Sequence, residues 1–477
     1  MNKTVIALTV VGVLVLAAIG GYVGVQQFKK RNRVPVVYDD IVEHYKYGSI
    51  GTEARLGLPR ELFDVLPEQF ADLLPPGPGQ GWERIGFLYE PGHDLPIGAS
   101  VRELPVALVG LNCAACHTGT VRAEPGGARQ IVLGAPANNF DGESYLRFIF
   151  AVVADPRFQP GPLIEAIERH NPKFGFIDKL LYRFSVIPTM KQKLGALSAS
   201  YHWLDVRPPF GPGRIDTFNP YKVLFGFDMT EETAVGTVDL PALFDQRIRE
   251  GMHLHWDGNN TSLSERNKSA AIGAGANPDS LDLPAMDRIE KWILDRKPPA
   301  FPVERIDKAK AARGEAVWNR TCANCHEPGK PLTGTVIPID DVKTDRQRLD
   351  SFTPELTAKM DTIGEGYPWR FSHFVKTNGY AAPPLDGIWV RSPYLHNGSV
   401  PTLHALLFPA ERSATFYRRY DVFDWSAVGY VTSGAEAEKV GFKYDTTLRG
   451  NGNNGHLYGT ELTTPDKEDL IEYLKTL

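Results

Sequence analysis

The chain has only four cysteines, and they fall into two copies of one pattern: Cys113, Cys116 and His117 in "CAACH", and Cys322, Cys325 and His326 in "CANCH". Two thiols spaced this way on a tight helical turn can add to the two vinyl groups of one porphyrin. The histidine that follows then lies beneath the ring and binds its iron from the proximal side. The spacing therefore predicts two covalently bound haem c groups, with the four cysteines as thioether carriers and His117 and His326 as proximal iron ligands. Other chemistries fit less well. A Cys2His2 zinc site needs a second histidine a few positions on, which neither copy has. A thioredoxin-like dithiol would occur once and follow a strand. No cysteine remains for a disulfide.

The second axial ligand decides what each iron does. With both positions filled an iron moves electrons; with one free it reacts with O2 or peroxide. In the C-terminal part, "GNGNNGHLYG" (450–459) precedes the last helix, where a simple cytochrome c domain carries its methionine ligand. Its glycines and asparagines let the chain pass close to a flat ring, and it presents His456, read here as the distal ligand of the second iron. His396, in "SPYLHNGSVPTLHALL", is the chief rival. Met360, His373 and His404 stay open, with His404 better suited to packing on a helix. For the first iron the candidates are His93, His202 and the pair His253 and His255. That pair stands with Trp256 in "GMHLHWDGNN", and His253, His255 and Trp256 are candidate lining residues of a reactive pocket. The same stretch also reads as a polar loop folded on itself.

Positioning two such sites takes a long chain. At 477 residues it is expected to form two or three domains. With 42% hydrophobic and 23% charged residues it is globular rather than disordered. Its 45 glycines and 37 prolines imply long irregular connections. Residues 5–25 carry no charge and are long enough to cross a bilayer as a helix, either as an uncleaved anchor or as a signal that is removed. Lys29, Lys30, Arg31 and Arg33 follow that segment and alone would hold the main body in the cytoplasm. Haem attachment of this kind occurs outside the bacterial inner membrane, so residues 34–477 are assigned to the periplasmic side. Removing the five positive charges of residues 1–33 takes the net charge from −5 to −10. An acidic body without a basic, aromatic-studded patch excludes a nucleic-acid partner. The expected partners are a small redox protein or other electron donor, with O2 or peroxide as the small reactant and the membrane met through the N-terminal helix.

The expected fold class is mainly α: two cytochrome c-like haem domains with long loop-rich connections, preceded by the transmembrane or signal helix. The domains are placed at 1–33, 34–297 and 303–477. "YLRFIFAVV" and "FGFIDKLLYRF" have apolar positions at helical spacing. "PAMDRIEKWILDR" (284–296) reads as an amphipathic helix with Met286, Ile289 and Ile293 on one stripe, ended by "KPPAFP" (297–302). "RIDKAKAARGEAVWNRT" leads as a helix into CANCH and puts Gly314 and Trp318 on one face. The closing helix, "TTPDKEDLIEYLKTL", starts with Thr464 as N-cap, Pro465 at its first position and Asp466 at the positive end of its dipole.

Together these features resemble bacterial di-haem cytochrome c peroxidases, on the two CxxCH sites, "SPYLHNGSVPTLHALL" and the closing helix. "VGLNCAACHTGTVR" and "EGMHLHWDGNN" are closer still to the di-haem rubber oxygenases, the RoxA-like branch of that superfamily, over about residue 50 to the end. The resemblance implies that His396 stands beside the second haem rather than on its iron. It also implies an open, O2-binding first haem and a second haem held by two histidines. Residues 118–150 lack the distal histidine of a standard peroxidase. Polyisoprene cleavage is the family reaction. The alternatives are a pure electron-transfer di-haem cytochrome and a peroxidase. A calcium ion between the haem domains is allowed by the resemblance, but no acidic loop in the sequence supports one.

Overall fold

The strongest helical patterns form where their apolar spacing places them. Asp282 caps the helix Leu283–Leu294 by accepting from the Ala285 amide at 3.1 Å, and Met286, Ile289 and Ile293 are all buried. Asp141 caps Gly142–Ala154 in the same way, and Phe148, Ile149, Val152 and Val153 bury its apolar face. "FGFIDKLLYRF" becomes the first part of a longer rod, with Phe176–Leu181 and Ile187–Ser200 joined by a π-helical turn at Tyr182–Val186. These assignments come from a computed structural model that describes residues 36–103, 106–230 and 234–477.

The helices Lys308–Thr321 and Thr464–Leu474 cross at Gly314. A Cβ there would lie 2.0 Å from the Asp469 carbonyl oxygen, so only glycine permits this approach. Arg313 locks the crossing with two hydrogen bonds of 2.7 Å to the Asp469 carboxylate. Trp318, Leu470, Ile471 and Leu474 are buried around it. The last helix is capped by Thr463 rather than Thr464: the Thr463 hydroxyl accepts from the Asp466 amide at 3.3 Å, and Thr464 is already helical.

The expectation of a mainly α fold is corrected. Among the described residues helices account for 42% and strands for 12%, the strands forming one three-stranded and five two-stranded sheets with every strand pairing antiparallel. Thr118–Arg122, directly after the first CxxCH, pairs with Arg129–Leu133, and Ala107–Leu111, directly before it, pairs with Ala99–Glu103 and Leu58–Pro59. Buried backbone must find partners, so the Gly- and Pro-rich connections fold into short ladders instead of open loops. Strands of two to five residues carry too little alternation to stand out against the helical stripes. The expected transmembrane or signal helix at 5–25, with the domain 1–33, lies outside the described residues. Among the described residues no helix is long and apolar enough to cross a membrane.

Side chains from both sides of the 297–302 linker share each main core. Phe352, Leu356, Met360 and Phe371 pack with the helices and strands of the first half. Val121, Val132 and Phe244 pack with Trp318, Trp389, Phe423 and Leu470 of the second.

Candidate functional site

Each CxxCH is a short helical turn fastened at both ends. Asn112 caps Cys113–Cys116, accepting from the Ala114 amide at 3.0 Å while its own amide donates to the carbonyls of Lys46 and Gly48. The Tyr45 hydroxyl donates to the His117 carbonyl at 2.7 Å. At the second site the helix Lys308–Thr321 runs straight into the turn, with the Cys322 amide bonded to the Trp318 carbonyl at 2.8 Å.

The two histidines are held identically. Nδ1 of His117 lies 2.8 Å from the Pro241 carbonyl oxygen, and Nδ1 of His326 lies 2.8 Å from that of Pro383. A carbonyl only accepts, so Nδ1 carries the proton and Nε2 is left as a lone-pair donor, the form a metal needs. Burial pushes His117 down to about 4 and lowers His326 as well, which keeps both imidazoles neutral. The thiols move the other way: burial pushes Cys113 up to about 11, Cys116 and Cys322 up to about 12, and raises Cys325. A redox dithiol needs a depressed thiol; these four suit thioether attachment.

His456 faces the second site. Its ring centre lies 6.2 Å from that of His326, with the planes tilted by 39°. The loop is built to deliver it. His456 has φ 47° and donates its amide to the Val342 carbonyl at 2.7 Å. Gly455, at φ 77°, presses on the backbone of Lys343, where a Cβ would lie 2.3 Å from the carbonyl carbon. Arg412 donates to the carbonyls of Asn453 and Gly455 at 2.7 and 2.9 Å. Burial first, and then the neighbouring His326, push the His456 imidazole down to about 4. Its Nδ1 is buried and has no hydrogen-bond partner among the described residues.

The other candidates are engaged elsewhere. His396 is buried, stacks on Tyr380 with ring centres 4.1 Å apart, and shares a 3.0 Å hydrogen bond with the Tyr380 hydroxyl. His373 pairs with Glu265 at 2.7 Å, and His404 stacks on Phe408 with Glu411 at 3.2 Å. Met360 lies in the first core. His93 stacks on Tyr47, and Nδ1 of His202 lies 3.1 Å from the Ala199 carbonyl.

The "HLHW" residues are taken up by separate partners. His253 uses Nδ1 on the Gly258 carbonyl at 2.7 Å, and its amide donates to Gly334 in the loop after the second CxxCH. His255, at φ 63°, bonds Asn259 and stacks near Phe374; burial, then Arg348, push it down to about 4. Trp256 donates Nε1–H to the Asp239 carbonyl at 2.8 Å and accepts from the Ala381 amide at 2.8 Å. Asp239 is two residues from Pro241, and Ala381 is two residues from Pro383. Trp256 thus bridges the two segments that hold His117 and His326.

Sequence reasoning passed over the arginines. Arg249, buried, donates to the carbonyls of Phe244 and Asp245 at 3.0 Å each and of Pro384 at 3.2 Å, and pairs with Asp386. It ties the chain just past Pro241 to the residue next to Pro383. Arg266 lies within electrostatic reach of Cys113 and His117 and is pushed down to about 10, by burial first and then by Arg249. It walls a cavity of about 330 Å³ with Gln246, Thr261, Asn267, Glu290 and Ile293. Arg249 ends a short helical turn and Arg266 lies within the helix Leu263–Gly273, and a single arginine in either carries no spacing signal that could have revealed it.

Residues 379–417 match the family model described as RoxA-like, cytochrome c-like. That span contains Tyr380, Pro383, Asp386 and His396, so the match falls on the segment that orients His326. The match is to a cytochrome c-like domain, a kind that carries haem c with its iron. Two relatives come from Sinorhizobium fredii. The uncharacterized protein y4iM is 31% identical over 282 residues, which cover 50% of this chain and 64% of that protein. The uncharacterized protein y4iJ is 27% identical over 501 aligned positions, covering 83% of this chain and 81% of that one.

Proposed function

We propose that the chain is an exported c-type oxidoreductase with two haems, of the RoxA-like kind, in which the first site handles O2 or peroxide and the second is a bis-histidine electron-transfer centre. Haem bound at such sites supplies one-electron transfer and, where an axial position is free, reaction with O2 or peroxide. The pairing of His326 with His456 carries the reading. A metal–imidazole bond is about 2.0–2.1 Å long and a ring nitrogen lies about 1.1 Å from its ring centre, so imidazoles on opposite sides of one ion stand about 6.3 Å apart, centre to centre. The observed 6.2 Å fits that requirement, and the buried His456 Nδ1 has no hydrogen-bond partner among the described residues.

The residues divide the work. His117 and His326 present Nε2 because their Nδ1 protons are fixed on proline carbonyls. Trp256 joins the two supporting segments through hydrogen bonds, which favours electron exchange between the sites. The cavity walled by Arg266 and Glu290 beside Cys113 supports assigning the small reactant to the first site. Export follows from where covalent haem is attached.

An electron paramagnetic resonance spectrum of the resting, haem-loaded protein tests this directly. One high-spin and one low-spin iron are expected, and the reduced protein should bind CO at one site. His456→Met should raise the second site's reduction potential and leave the first nearly unchanged. Two low-spin irons and no CO binding would establish a pure electron carrier instead.

A further inference from the structure

A second cavity, of about 840 Å³, opens between the rod 176–200, the segment Glu53–Gly57 and the helix Asn219–Leu224. Its size falls within the usual range for small-molecule sites. Its walls are mainly aliphatic: Leu56, Leu108, Val186, Met190, Leu194 and Leu197. Three polar groups stand out against them. Tyr201 is 8% exposed, and among the described residues its hydroxyl has no hydrogen-bond partner. Arg55 lies close enough to act electrostatically on Tyr201; its guanidinium donates to the Ile272 carbonyl at 3.3 Å and forms no ion pair among the described residues. Lys193 is exposed at the rim. The Glu53 carboxylate, also in the wall, is turned away, one oxygen on the Ser49 hydroxyl and the other on that of Ser100.

We propose that this cavity binds a long-chain aliphatic carboxylate, with Arg55 and Tyr201 receiving the head group and the leucine-rich wall enclosing the tail. An unpaired guanidinium beside a free hydroxyl matches the two oxygens of a carboxylate. Aliphatic walls gain free energy in proportion to the tail surface they remove from water. The rod also presents a way in. Phe176, Ile177 and Phe184 are 72%, 72% and 73% exposed, and the next residues, Ser185 and Val186, line the cavity. The π-turn at Tyr182–Val186 carries both faces, with Phe184 turned outward and Ser185 and Val186 in the cavity wall. The site is separate from both CxxCH turns and stands or falls independently of their chemistry.

Isothermal titration calorimetry on the haem-loaded full chain tests the proposal, using laurate below its micelle concentration and dodecanol as the neutral analogue. Laurate is expected to bind one per chain, more tightly than dodecanol. Arg55→Gln should weaken laurate about tenfold, the loss of one charge-assisted hydrogen bond, while leaving dodecanol unchanged. Met190→Trp should block both ligands, with an unchanged Soret spectrum showing that the fold survives. If that variant misfolds, Tyr201→Phe, which should weaken laurate alone, serves in its place. Absence of laurate binding, binding untouched by Arg55→Gln, or dodecanol binding as tightly as laurate would each overturn the proposal.

Discussion

Replacing Arg249 probes whether the two CxxCH sites are mechanically and electrostatically joined. The side chain donates to three carbonyls and pairs with Asp386. Losing one member of a buried ion pair typically costs about 3–5 kcal/mol because a charge is left bare. Here every acceptor keeps another donor. Phe244 keeps Gln246 at 2.7 Å, Asp245 keeps the Ile248 amide at 3.3 Å, and Pro384 and Asp386 keep Arg391 at 3.1 and 3.0 Å. Arg249→Met should therefore cost only about 2–3 kcal/mol, read from chemical denaturation. The functional effect is more telling. A cation favours the reduced form of a nearby iron, so both reduction potentials should fall, by on the order of tens of millivolts. The second site retains Arg391 on Pro384, so the first should respond more. Arg249→Lys keeps the charge but loses the fork; it should preserve the potentials better than it preserves stability. Spectroelectrochemical titration of the three proteins decides. If the first-site potential stays at its wild-type value in Arg249→Met, the idea of a shared clamp is wrong.

Three further outcomes are expected. Gly314→Ala forces apart the helices Lys308–Thr321 and Thr464–Leu474, since the new Cβ would sit 2.0 Å from the Asp469 oxygen; a loss of about 3 kcal/mol or more is expected in thermal melts, and an unchanged Tm would contradict the crossing. Trp256→Phe keeps a ring but removes the 2.8 Å bond to Asp239; it should cost about 1 kcal/mol and slow electron exchange between the sites in flash-photolysis traces, which equal rates would disprove. His255 is held near 4, below its ordinary 6.5. Its neutral form is the one the fold favours, so its contribution is fully present above about pH 6.5 and is lost as pH falls toward 4, by up to about 3 kcal/mol. His255→Gln should flatten the acid side of the stability profile in denaturant melts at several pH values, and parallel profiles would show that His255 is not the group responsible.

The sequence by itself marked the two candidate attachment sites. Cysteine spacing is a local property of one helical turn, so Cys113, Cys116, His117, Cys322, Cys325 and His326 could be read without a fold. It also determined the strongly periodic helices, because the stripe of Met286, Ile289 and Ile293 or the shared face of Gly314 and Trp318 follows from helical repeat alone. His456 could be named as a candidate because its place before the last helix is a matter of chain order. Tertiary structure decided the rest. The short antiparallel ladders arise from backbone groups that must be paired once buried, a demand that leaves little trace in side-chain pattern. Trp256 read as pocket lining, yet its bonds to Asp239 and Ala381 depend on segments 17 positions before and 125 after it, brought together only by folding. Pro241, Pro383 and Arg249 act through backbone carbonyls and a guanidinium reaching across the chain, and carbonyls have no residue identity to read. What each histidine can do was written in its residue type; which of its two nitrogens is free was settled by contacts between parts of the chain distant in sequence.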